Sequence, residues 1–120
     1  MARPRKWRRV CRLPDRKEFG PISNKDKRHV LVMSVDEYET IRLIDHEDLT
    51  QVECALQMNV ARTTVQKIYD QARAKIATAL VEGSTIVIDG GDYQLCTGNN
   101  QFCHTSSCHR VKEKIRGIKI

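Results

Sequence analysis

The sequence predicts a mainly α protein: a tri-helical helix-turn-helix core with a basic N-terminal arm, a C-terminal β-hairpin and a Cys/His-rich tail. Three observations lead there. Two capping signatures, Ser34 with Glu37 and Thr50 with Glu53, each open a helical pattern. A longer apolar period, Val65, Ile68, Ala72, Ile76 and Leu80, steps by three or four and stops before Gly83. Finally, Gly90-Gly91 separates two β-rich runs and can take positive φ at both positions. A chain of 120 residues is too short for two independent cores, so one folded unit with appendages is expected: an arm over 1–28, the helix-turn-helix domain with its hairpin over 29–96, and a tail over 97–120.

Taken in order, residues 1–28 carry Pro4, Pro14, Gly20 and Pro21, which interrupt any regular period and predict an extended arm with no core of its own. Val30 to Met33 is a short apolar run that reads as one strand or as an extended lead-in. A first helix follows from the Ser34 cap to about Glu47, burying Val35, Tyr38, Ile41 and Ile44 and placing Asp36, Glu37 and Glu39 near its positive N-terminal end. A second, short helix runs from the Thr50 cap to about Met58, and Asn59 tolerates the left-handed conformation of a sharp turn. The third helix spans about Arg62 to Val81. Thr85–Asp89 and Asp92–Cys96 are expected to pair with each other.

Charge is divided unevenly along this plan. Residues 1–28 hold eleven Lys or Arg against three acids, whereas residues 29–59 hold one Arg against seven acids. The chain as a whole carries +6. A basic arm and a basic later helix flanking an acidic segment suit a polyanion met by chosen surfaces.

The segment 51–70, QVECALQMNVARTTVQKIYD, has the parts of a helix-turn-helix. Ala55 is the small contact between helices, Cys54, Met58 and Val60 face inward, and Val65 with Ile68 anchor the second helix. Its outer face then presents Arg62, Thr63, Gln66, Lys67 and Asp70. Arg62 and Gln66 are the candidate base readers; Thr63 and Thr64 suit a phosphate or a thymine methyl, and Lys67 a phosphate. Thr50 and Gln51, where the first helix of the pair opens, can add a backbone-amide phosphate contact. In the arm, Arg3, Arg5, Arg8 and Arg9 are candidates for phosphates or a minor groove. The partner these residues imply is double-stranded DNA.

The arm RPRKWRRVC, the stretch VDEYETIRLID, the helix-turn-helix run from Leu49 to Gly83 and the IDGGDYQLC end together resemble the family of predicted DNA-binding proteins known as domain of unknown function 134. The likeness covers about residues 2–96. Its helix-turn-helix is similar to region four of sigma-70 family factors, which implies a tri-helical unit and a role in transcription regulation.

Beyond the hairpin, Cys96, Cys103, His104, Cys108 and His109 fall within fourteen residues, with Cys11 as a reserve ligand. They would suit a tetrahedral zinc site or an iron-sulfur cluster, and equally a flexible tail with reactive thiols, since the spacing lacks a tight CxxC pair. Metal or redox sensing by a DNA-binding regulator follows from the first reading. Two other classes compete with that regulator. One is a module contacting RNA polymerase through the acidic segment Asp36 to Asp48; the other is an enzyme using Cys103 or Cys108 with a neighbouring His, which no oxyanion-hole or phosphate loop accompanies. The expectation is therefore not an enzyme. With no membrane span and no apolar run behind the N-terminal arginines, the chain is expected in the cytoplasm. Two half-sites and the free edge of the hairpin lead to an expected homodimer or larger homo-oligomer.

Overall fold

The computed structural model describes residues 7–22 and 29–96. Its elements run β1 Arg8–Val10, β2 Glu18–Phe19, β3 Val30–Met33, α1 Val35–Thr40, a π-helical segment Ile41–His46, α2 Gln51–Met58, α3 Arg62–Glu82, β4 Thr85–Ile88 and β5 Tyr93–Leu95. Both capping signatures close as reciprocal hydrogen bonds. The Ser34 hydroxyl accepts from the Glu37 amide while Glu37 accepts from the Ser34 amide at 2.8 Å, and Thr50 and Glu53 repeat the arrangement. Gly83 ends α3 at φ 72°, a conformation that costs a residue without Cβ little.

The mainly α expectation is corrected by two small sheets packed among the helices. β4 and β5 do not form a hairpin. β4 is instead the centre of a three-stranded sheet, parallel to β3 with Met33 opposite Ile88 and antiparallel to β2 with Phe19 opposite Ile86. β5 pairs in parallel with β1, Val10 opposite Leu95. The reason lies around the glycines: the Gly90 carbonyl accepts from the Val35 amide at 2.9 Å and the Asp89 amide donates to Met33, so the segment is held by the start of α1 and cannot fold back on β4. Gly91 lies at φ 106°, packed so closely that a Cβ there would collide with the Asp36 carboxylate.

Within the basic arm, residues 8–10 and 18–19 form β1 and β2, and Val10 is fully buried in a core with Met33, Val35, Ala72 and Ile88. A second core, Leu43, Cys54, Ala55, Met58 and Val65, holds α2 and α3 to the π-helical segment. The first helix also departs from expectation, passing from α to π winding after Thr40. There the buried Arg42 guanidinium lies on the buried Glu39 carboxylate at 2.8 and 3.0 Å, and Glu39 also accepts the Cys11 amide at 3.1 Å. Burial opposes the Arg42 charge, but the bond to Glu39 and the negative groups beside it hold its pKa above the ordinary value. No helix among the described residues is long and apolar enough to cross a membrane.

Candidate nucleic-acid interface

α2 and α3 meet across a turn whose bend is made by Asn59, at φ 58° and ψ 48°. Its amide donates to Leu56, and the Val60 amide closes back on the Ala55 carbonyl at 3.0 Å. Ala55 sits where the helices touch, and Cys54, Met58 and Val65 are fully buried beneath it. Burial pushes the Cys54 thiol up to about 12, which leaves it a small neutral apolar group with its sulfur 3.7 Å from that of Met58.

Packing these residues inward turns Arg62, Thr63, Gln66, Lys67 and Asp70 outward, all exposed on one side of the first two turns of α3, with Thr64 half-buried between them. The N-cap is Ala61, whose side chain bonds no amide, so the first-turn amides keep their donors available to an anion. Arg62 reaches across the turn and donates to Gln51 Oε1 at 3.0 Å, which joins two of the candidates named from sequence. At the start of α2, by contrast, the capping box already occupies the Thr50 and Glu53 amides.

The arm candidates divide. Arg3 and Arg5 lie outside the described residues. Arg9 is drawn into the fold, donating to the Gln57 carbonyl at 2.9 Å and the Leu56 carbonyl at 3.1 Å, where a guanidinium meets the negative end of α2. Arg8 pairs with Asp92 at 3.2 Å and approaches Asp36. It lines a polar cleft of about 720 Å³ together with Asp36 and Asp92, and Thr63, Thr64 and Lys67 of α3 form the facing wall. Sequence reasoning missed Gln71 and Lys75 of the same wall, although Lys67, Gln71 and Lys75 are spaced by four along one helix face. Lys75 is tied to Glu37 Oε1 at 2.7 Å and to the Val32 carbonyl at 2.9 Å.

Of the candidate metal ligands, Cys11 and Cys96 are buried at the ends of β1 and β5, while Cys103, His104, Cys108 and His109 lie outside the described residues. Among the described residues no three His, Cys, Asp or Glu side chains gather as a metal-binding group.

A small α+β domain with an exposed polar helix face over a compact turn is the class that this fold and site define. The chain belongs to the family described as "Protein of unknown function DUF134", which it matches over residues 1–96. It is 51% identical over 116 residues to a UPF0251 protein of Desulfitobacterium hafniense, covering 96% of this chain and 92% of that relative. A UPF0251 protein of Halothermothrix orenii is 45% identical over 116 residues, covering 95% of this chain and 81% of its own length. No solved structure matches the chain.

Proposed function

We propose that this protein binds double-stranded DNA sequence-specifically, with α2–turn–α3 as a helix-turn-helix and α3 as the recognition helix, and that it regulates transcription. The observation that carries the reading is the outward set Arg62, Thr63, Gln66 and Lys67 at the start of a 21-residue helix whose inward side is locked by Val65 and Ile68. Such a set has the donors and acceptors to read base edges, backed by uncapped amides and Lys67 for phosphate. The α2–α3 unit is the part that resembles region four of sigma-70 factors. Two copies on two half-sites are the natural stoichiometry of such a reader. The rival reading, an acidic surface meeting RNA polymerase, is less favoured because Asp36, Glu37 and Glu39 are buried.

Selection of bound sequences from random duplex DNA tests this directly, with a two-fold symmetric consensus as the expected product. Arg62→Ala and Gln66→Ala should each remove about 1 to 3 kcal/mol of discrimination, while Lys67→Ala weakens all sequences alike and lowers the salt slope by about one. A folded protein with no DNA affinity even at low salt would overturn the reading.

A further inference from the structure

Where α3 ends, it lies against β2 and the residues that follow that strand. Phe19, Pro21, Ile76, Ala79, Leu80 and Ile86 line an apolar groove of about 390 Å³ there, and none of the described residues lining it is ionisable. The side chains around it stand out into solvent: Phe19 is 51% exposed, Leu80 79%, Val81 86%, and Ile22, next to Pro21, is wholly exposed. Together these four leave on the order of 600 Å² in water, the size of the largest apolar patch that a monomer carries, and patches of that size mark interaction surfaces.

We propose that this groove is the interface through which two copies of the chain pair about a two-fold axis. A hole and its knobs lie side by side on one surface, with Leu80 and Val81 projecting beside the groove. A self-complementary contact needs that arrangement, because each copy then offers the knob that fills the other's hole. Charge selects the same occupant. The chain carries +6, so copies repel over most of their surface, yet the groove is uncharged and the exposed residues adjoining it bear both signs: Lys17 and Glu18 precede Phe19, and Glu82 closes α3. A two-fold sets acid against base across such a rim, whereas an acidic partner would meet two acids for one base. In area, the patch supplies most of the roughly 800 Å² that each partner of a stable dimer buries.

The position suits the function proposed above, although the pairing itself does not rest on it. Along α3, residues 76–83 centre about 22 Å beyond the outward set at 62–67, at roughly 1.5 Å per residue. A two-fold through the groove therefore holds the two recognition ends about 45 Å apart when the helices run in line. The ends stand about 34 Å apart, the spacing of successive half-sites, when the helix axes meet near a right angle. Pairing at this end leaves the outward residues at the other end of α3 free.

The test is made without DNA, by analytical ultracentrifugation of the full chain across the micromolar range, with circular dichroism to establish that each variant is folded. The unsubstituted chain is expected to be a dimer. Leu80→Glu and Phe19→Glu should each weaken association on the order of a hundredfold, because either places a charge in an apolar contact, while Leu80→Met associates as the parent does. Val52→Glu, at an exposed apolar position of α2 away from the groove, should leave association unchanged. A parent that stays monomeric at every concentration, as it would if the chain's own residues covered the groove, overturns the proposal. So does an assembly that grows past two copies, or a dimer that both glutamate variants leave intact. A dimer with no DNA affinity would remove the function proposed above and leave this interface standing, and a monomer that binds DNA would do the reverse.

Discussion

Glu39 and Arg42 show how much a single buried contact can hold together. Both are nearly inaccessible and are joined by paired hydrogen bonds, and Glu39 also receives the Cys11 amide, so one carboxylate joins α1 to the end of β1. Removing either partner takes a buried counter-charge from the other: Glu39→Gln or Arg42→Met is expected to cost about 3 to 5 kcal/mol in chemical denaturation, and replacing both should cost clearly less than the two single changes added. Cys54 makes the opposite case, a group kept neutral by burial. Its ordinary value of 9.0 is pushed up to about 12, so the unfolded chain releases the proton first as pH rises. Its contribution to stability is therefore complete below pH 9 and is lost progressively between there and about 12. The alkaline limb of the stability profile should flatten in Cys54→Ala, and Cys54 in the native protein should resist thiol reagents at neutral pH.

At the scale of elements, what was legible in the sequence was local. Ser34 with Glu37, Thr50 with Glu53, Asn59 and Gly83 each act within a few residues of themselves, so their pattern carries the structure with it. The strands were legible only in part. The β-branched run Thr85–Ile88 marks a strand, but a strand's partners are chosen by whichever edge the whole chain brings near, and here β2 and β3 outcompete β5. Glu18–Phe19 is too short to show any period. The site divides likewise: the outward residues of α3 follow from helical spacing, whereas the capture of Arg8 and Arg9 by Asp92 and α2 depends on partners in distant segments. Since Arg9 meets two terminal carbonyls of α2, Arg9→Ala should cost about 1 to 3 kcal/mol and loosen that helix first, visible as faster amide exchange at its C-terminal end.

For the molecule as a whole, β1 matters more than its three residues suggest, because Val10 is buried in one core while Arg9 secures the helix that shapes the other. Val10→Ala is expected to cost about 2 kcal/mol by calorimetry, and deletion of residues 2–12 should abolish cooperative unfolding as well as lower DNA affinity. The pairing of β1 with β5 also sets a timetable for synthesis. A ribosome delivers Arg8 to Val10 near the beginning and Tyr93 to Leu95 only some eighty residues later, so the first strand must wait, unpaired, until nearly the entire domain has emerged. A nascent chain stalled before Tyr93 would hold its helix-forming segments without the latch that seats them, and a fragment released at that stage would reach the proteases of the cell with its core open.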